Sequence, residues 1–251
     1  MKKLLYTFLL LPFFSTAQQP DYDILITNGK IIDGTGNSWY YGDVAIKDGK
    51  IAAIGRKIAG SAKKTIDVSG LIIAPGFIDV HTHLEGDEEK DPEAKSFIYD
   101  GVTTCITGNC GSSNVDLKNY FHWVDSLKLS INVASLIGHN DVRKAVMGRA
   151  NRDATPDEMK KMEALVEQAM KDGAVGMSTG LIYIPGTYTK TPEIIDLAKI
   201  VSKYHGVYAS HMRDEGDSVT LAIDEALSIG RSETTCGNFS FQTERAAKLG
   251  A

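Results

Sequence analysis

Hydrophobic and polar positions follow two different rhythms along this chain. Between residues 24 and 72 the rhythm is short. "DILITNGKIIDGTG", "GDVAIKDGKIAAIG" and "TIDVSGLIIAPG" each join β-branched runs through Asn-Gly, Asp-Gly or Ser-Gly, dipeptides that supply the positive φ of tight turns. This predicts a small antiparallel β unit over residues 22–72. Beyond it the rhythm lengthens. Apolar runs at 101–108, 131–138, 173–178 and 206–211 alternate with helical patterns. With residues 72–81 they make five strands, and the alternation predicts parallel βα units.

The helices carry clear punctuation. Thr155-Pro156 followed by Glu158 reads as an N-cap, an N1 proline and a capping-box partner. Met159, Met162, Leu165, Val166, Ala169 and Met170 then form an apolar stripe that Gly173 ends, a pattern that suits core packing better than a methionine-rich binding face. Thr191-Pro192 opens a second helix carrying Ile194, Ile195, Leu197, Ala198 and Val201 towards Gly206. A third runs from about Ser218 to Ile229 and stops at Gly230. The acidic run from Glu85 to Glu93 reads as a solvated loop.

Composition narrows the class. The 251 residues are 43% hydrophobic and 24% charged, with a net charge of −5, which suits a globular domain. With no long basic stretch, a nucleic-acid partner is not expected. The N-terminus reads as a secretory signal peptide over residues 1–17: Lys2 and Lys3, an apolar run from Leu4 to Phe14, then Ser15-Thr16-Ala17. The apolar run is well short of the ~20 residues a spanning helix needs, so no stable membrane anchor is expected. Export to the periplasm or the exterior is. The three cysteines are an odd count in an exported chain, which suggests a free or metal-bound thiol. Cys105 and Cys110 could in principle oxidise to each other, but Cys105, in "GVTTCITG", reads as a small buried hydrophobe.

The candidate chemistry gathers at strand ends. In "FIDVHTHLEG", residues 77–86, the apolar residues Phe77, Ile78 and Val80 give way to His81 and His83. Residues i and i+2 of a strand point the same way, so two imidazoles are aimed into one small volume. Barrel chemistry sits at the C-terminal ends of the strands. The second strand ends in Asn109 and Cys110 of "TGNCG", the third in His139 of "LIGHNDVR", the fourth in Ser178 and Thr179 of "GMSTGLIY", and the fifth in His211 of "YASHMRDE". Taken singly these have bland readings. His139 suits a hydrogen-bonded structural histidine, His205 a partner for a helix C-terminus, His122 a surface residue, and Gly108 and Gly111 a tight turn. Together they offer imidazole and thiolate donors that suit Zn²⁺, and coordination would protect a thiol in an oxidising compartment.

"APGFIDVHTH" resembles the metal-binding strand of the amidohydrolase superfamily. "GVTTCITGNCG", "GAVGMSTGLIYIPG" and "YASHMRDEG" resemble its D-aminoacylase branch, the N-acyl-D-amino-acid deacylases. The resemblance covers about residues 22–231. It implies an α/β fold, a (β/α)₈ barrel over 73–231 with a small β-sandwich built from both chain ends, leaving a divergent tail at 232–251. It also implies one or two zinc ions: His81 and His83 on one, Cys110 in place of a bridging carboxylated lysine, and His211 on the second, tighter position. Tyr183 would help hold the substrate. The implied reaction is hydrolysis of an N-acyl-D-amino acid, a small-molecule substrate, to a carboxylate and a D-amino acid, with a carboxylate shuttling the proton.

The sequence departs from that family in its second half. Eight strands close such a barrel, typically over about 250 residues, and only five are read here. No histidine follows His211, and Phe241 stands where the family's next ligand would fall by spacing. The family's acid/base aspartate would lie on an eighth strand. The expectation is a barrel incomplete at its C-terminus, with little or no hydrolytic activity in the 251-residue chain. Two alternatives stand beside the deacylase reading. One is an amidohydrolase acting on cyclic amides, of the hydantoinase or dihydroorotase kind, against which "GNCG" argues. The other is a chain that binds metal without catalysis.

Overall fold

The computed structural model describes residues 19–231 and 239–242, and the chain divides into two units between Pro75 and Gly76. The stretch read as a signal peptide lies outside the described residues. None of the described helices is long and apolar enough to cross a membrane.

In the first unit, β1 (Tyr22–Ile31), β2 (Tyr40–Lys47), β3 (Lys50–Gly55), β4 (Ala62–Asp67) and β5 (Ile72–Ile73) share one sheet. The order is β3-β2-β1-β4, with β5 also on β1. Asp48-Gly49 turns as its composition predicts: Lys47 pairs Lys50 and both turn residues take positive φ, 51° and 71°. Asn28-Gly29 does not close a hairpin. It is a bulge inside β1, where the register with β2 slips between Ile26 and Gly29. Asn28 has φ 63°, its N–H donates to Asp43 Oδ1 at 3.0 Å, and its side chain donates to Asp67 Oδ1 at 3.1 Å. Strands on both sides grip the kink, so the chain runs on. The sheet is also mixed rather than antiparallel, because β4 and β5 pair β1 in parallel. With β2 on one edge of β1, the chain leaving β3 crosses to the other edge and there runs alongside β1.

In the second unit strands and helices alternate. The strands are β6 (Phe77–Asp79), β7 (Val102–Thr107), β8 (Asn132–Ser135), β9 (Ile137–Gly138), β10 (Gly176–Gly180), β11 (Val207–His211) and β12 (Phe239–Gln242). The helices are α1 (Lys95–Tyr99), α2 (Leu117–Leu127), α3 (His139–Met147), α4 (Pro156–Lys171), α5 (Thr191–Lys203) and α6 (Val219–Arg231). Strands β6-β7-β8 form one sheet and β9-β10-β11-β12 another, every pair parallel. Leu136 alone separates β8 from β9, so the parallel series passes from one sheet to the next in chain order. Strand β12 is one more than the sequence reading counted. It pairs β11 from Tyr208↔Phe239 to His211↔Gln242.

The main core lies between helices and strands of this unit. Met162 and Val166 of α4, Ile194, Leu197 and Val201 of α5, Met177 of β10 and Ile229 of α6 are all within 1% of full burial, each such side chain contributing about 1.5–3 kcal/mol through removal from water. The methionine stripe is therefore core. The Thr155–Glu158 capping box forms as read, while α6 runs one residue past Gly230. The first strand departs from its apolar reading: Phe77, Ile78 and Val80 are about 60% exposed, at 61%, 60% and 58%. Among the described residues β6 has a strand neighbour on one side only, so its apolar side chains are not enclosed.

Candidate metal centre

The two histidines of "HTH" lie beyond the end of β6, which stops at Asp79, and not within the strand. Local hydrogen bonds keep them converged. Asp79 Oδ1 accepts from the His81 N–H at 3.1 Å. Thr82 donates to the Ile106 carbonyl from both its N–H, 3.1 Å, and its Oγ1, 3.0 Å. The Thr107 hydroxyl accepts from the Leu84 N–H at 3.3 Å. Thr82 and Leu84 are thereby turned inward and buried, while His81 and His83 face the other way. Their ring centroids stand 5.3 Å apart.

Cys110 sits on the turn after β7, where three residues take left-handed backbone: Gly108 at φ 76°, Cys110 at 53° and Gly111 at 77°. Glycine is required at both flanks. A Cβ on Gly108 would stand 2.1 Å from the Leu136 carbonyl oxygen, and one on Gly111 2.3 Å from Asn140 Oδ1. Ser178 braces the turn from β10, its hydroxyl donating to the Gly108 carbonyl at 2.5 Å and accepting from the Gly111 N–H at 2.9 Å. Glu85 Oε1 accepts from the Gly108 N–H at 2.7 Å. The Asn109 amide donates to the carbonyls of Ile106 and Thr82 at 2.9 and 3.4 Å, which ties the cysteine turn to the histidine loop.

The result is a compact donor set. One ligand atom each from His81, His83 and Cys110 lies within 4.8 Å of the others. Cys110 Sγ is 3.6 Å from His81 Nε2 and 3.4 Å from His211 Nδ1. A tetrahedral zinc bound at ordinary Zn–S and Zn–N lengths holds sulfur and nitrogen about 3.5 Å apart, so both spacings fit such an ion. His211 closes β11 and is 3% exposed. Its Nε2 lies 2.9 Å from Glu215 Oε1, so a ring that donates from Nε2 to the carboxylate turns Nδ1 toward the sulfur. Outer-shell carboxylates fix the tautomer of metal-binding histidines in this way. Tyr183 packs edge-on against His211, centroids 4.8 Å apart, with its hydroxyl 3.3 Å from Nδ1.

Burial, and next the charge of His83, hold His81 below the ordinary histidine value of 6.5, which favours the neutral imidazole a metal requires. Cys105 is the contrasting thiol: burial and then Asp79 push it up to about 11, so it stays protonated in the core.

Other polar strand-end residues serve the scaffold. His139 is fully buried, its Nε2 3.1 Å from Glu193 Oε1. Thr179 bonds Tyr208 and Ser210 at 2.8 and 2.9 Å. His205 follows α5 with φ 57° and His122 is exposed on α2. The donors open onto a cavity of about 680 Å³ whose other walls include Asn140, Asp141, Lys144, Arg149 and Ile184. Sequence reasoning missed Asn140 and Glu215. The first carried a faint signal, following His139 at a strand-to-helix junction. The second had one too, standing one helical turn beyond His211.

The sequence model of the amidohydrolase family matches residues 64–222. The chain belongs to that family. D-aminoacylase of Alcaligenes xylosoxydans xylosoxydans is 36% identical over 240 residues, 86% of this chain and 50% of that protein. The crystal structure of N-acyl-D-glutamate deacylase from Bordetella bronchiseptica, complexed with zinc and a phosphonate inhibitor, superposes with a TM-score of 0.81 at 36% identity, over 87% of this chain and 50% of that one. A crystal structure of D-aminoacylase gives 0.80 at 33% identity, over 91% and 54%. These similarities put the chain in the D-aminoacylase branch and give it the mixed α/β fold of those amidohydrolases. The chain spans about half the length of the curated relatives it matches.

Proposed function

We propose that this chain supplies the zinc-binding residues of an N-acyl-D-amino-acid deacylase. The observation that carries the reading is that Cys110 Sγ lies within 3.6 Å of His81 Nε2 and 3.4 Å of His211 Nδ1. In this reading His81 and His83 would hold one ion, Cys110 would be shared, and His211 would hold a second position; a zinc ion held there would supply an acidified water, pKa about 7, and a polarised amide carbonyl. Glu215 keeps the His211 lone pair on the sulfur side, and the Tyr183 hydroxyl, set beside His211, orients the substrate. We further read the parallel strands as part of a (β/α)₈ barrel, the sheet of residues 22–72 as part of a small β-sandwich, and residues 1–17 as an export signal. The likeness to D-aminoacylase, in sequence and in fold, supports the first two.

A second reading, metal binding without turnover, is favoured by one feature of the cavity. Among the described residues lining it, Asp141 is the carboxylate, and it already accepts from the Ser112 hydroxyl at 2.9 Å and the Ser113 N–H at 3.1 Å. Metal analysis of the purified chain, combined with assays on N-acetyl-D-amino acids, their L-enantiomers and hydantoins, separates the readings. The deacylase reading expects bound zinc and, in whatever hydrolysis the 251-residue chain retains, selectivity for the D-enantiomers and loss on chelation. Stoichiometric zinc with no trace of hydrolysis supports the second reading, and cleavage of hydantoins alone points to cyclic amides. His83→Ala with unchanged metal content overturns the centre itself.

A further inference from the structure

We infer that Asn140 is the positioning residue of the metal centre, setting the Cys110 turn and the Tyr183 turn against one another; this rests on the metal-centre reading above. Asn140 is the second residue of α3 and 7% exposed. Its amide is spent in both directions on one residue at the end of β10: Nδ2 donates to the Gly180 carbonyl at 2.9 Å, and Oδ1 accepts from the Gly180 N–H at 3.2 Å. The same Gly180 carbonyl accepts from the Tyr183 N–H at 3.1 Å, so Asn140 holds the start of the turn that presents Tyr183 to His211. On its other side Asn140 Oδ1 lies against the backbone of Gly111, so close that a Cβ there would meet it at 2.3 Å. The neighbouring Asp141 N–H donates to the Gly111 carbonyl at 3.2 Å. One short stretch of α3 thus wedges between the two turns that carry the thiol and the phenol.

The wedge is itself anchored. His139 Nδ1 lies 3.4 Å from Asn140 Oδ1, and His139 Nε2 and Arg143 Nη1 both reach the Glu193 carboxylate. His139 and Arg143 are fully buried and Glu193 nearly so. Arg143 Nη2 further donates to the Arg152 carbonyl at 2.6 Å. Asn140 is therefore held from behind by a buried ionic cluster while it grips the site in front. Side chains that orient metal ligands without touching the metal typically alter affinity by about 10–100-fold when removed.

The test is a cobalt(II) titration of the metal-free 251-residue chain, reading the thiolate-to-cobalt charge-transfer absorption alongside the melting temperature of the metal-free protein. Cys110→Ser identifies the Cys110 contribution to that band. Asn140→Ala removes the wedge. Asn140→Asp keeps its shape but replaces the Nδ2 donor with a carboxylate oxygen facing the Gly180 carbonyl, and because an added negative charge by itself tightens cation binding, weaker binding in this variant reports lost positioning. The expected result is a weakened band and an affinity lower by about 10–100-fold in both variants, each read on protein that is folded at the titration temperature by its own melting curve. If Asn140→Ala does not fold, Asn140→Asp decides. Wild-type affinity and band in the variants, whatever their melting temperatures, overturn the positioning role. A wild-type chain that shows no Cys110-dependent band overturns the metal-centre reading and this inference with it.

Discussion

The Nδ1 atom of His211 lies 3.4 Å from the Sγ of Cys110, although the two residues are 101 positions apart in the chain. The contact depends on β11 and the turn after β7 ending at the same side of their sheets, and on a thiol turned out by left-handed backbone. Neither residue alone makes a site. Their approach, with His81 Nε2 3.6 Å from the same sulfur, is what gives the donor set its geometry.

Cys110→Ser tests that geometry. A serine keeps the turn and removes the soft donor, so zinc affinity should fall by at least the upper end of the about 10–100-fold loss seen for outer-shell partners. Far-ultraviolet circular dichroism should be unchanged. Equilibrium dialysis with a zinc indicator reads the affinity, and a serine variant that binds zinc as tightly as wild type would falsify the assignment of Cys110 as a ligand.

Ser178→Ala tests the brace on the cysteine turn. It leaves the buried Gly108 carbonyl and Gly111 N–H without their partner, which should cost about 1–3 kcal/mol. Urea unfolding of the metal-free protein measures the loss. The variant should also bind zinc less tightly, because the backbone that presents Cys110 is loosened. An unchanged unfolding midpoint would show that water replaces the serine hydroxyl.

Glu193 should give the protein an acid-sensitive step. Burial alone would raise its carboxyl, but the hydrogen bonds from His139 and Arg143 outweigh it and hold the pKa below the ordinary 4.5. A carboxylate lowered in the folded state contributes stability above its unfolded pKa and loses it as pH falls through the folded one. The unfolding free energy should therefore decline below about pH 4.5, and Glu193→Gln should flatten that decline. At neutral pH the same variant strands the buried Arg143 guanidinium, at a cost of about 3–5 kcal/mol. Parallel urea titrations from pH 7 downward, on both proteins, check slope and offset together; equal slopes would remove Glu193 from the account.

Leu197→Ala probes the core between α4, α5 and the sheet. Leu197 is fully buried, and truncation should cost about 2–5 kcal/mol through lost burial and the cavity left behind. Zinc affinity should change little, since Leu197 belongs to a core cluster that includes none of His81, His83, Cys110 and His211. A loss under 1 kcal/mol would mean that this part of the core repacks around the gap.

Much of this molecule was written in its sequence. The spacing of Met162, Val166, Ile194, Leu197 and Val201 specified two amphipathic helices, because a 3.6-residue period leaves one face to bury wherever the helix docks. Thr155-Pro156 and Asp48-Gly49 specified their own local geometry, since caps and tight turns are decided within four residues. The candidate donor types were legible too, because imidazole and thiol side chains gathered at strand ends have few other uses in combination. Other features needed the folded chain. Asn28-Gly29 carries a turn signal, and only the bonds Asn28 donates to Asp43 and Asp67 make it a bulge. His81 and His83 converge past the strand end because Thr82 is pinned to Ile106, a partner 24 residues away. His139 could have been a ligand by type and position; Glu193 on α5 claims it for the scaffold. Asn140 and Glu215 gain their roles solely from what tertiary packing sets beside them. Periodicity and backbone preference act locally and can be read from residue order, whereas the distance between two side chains far apart in the chain exists only once the chain has folded.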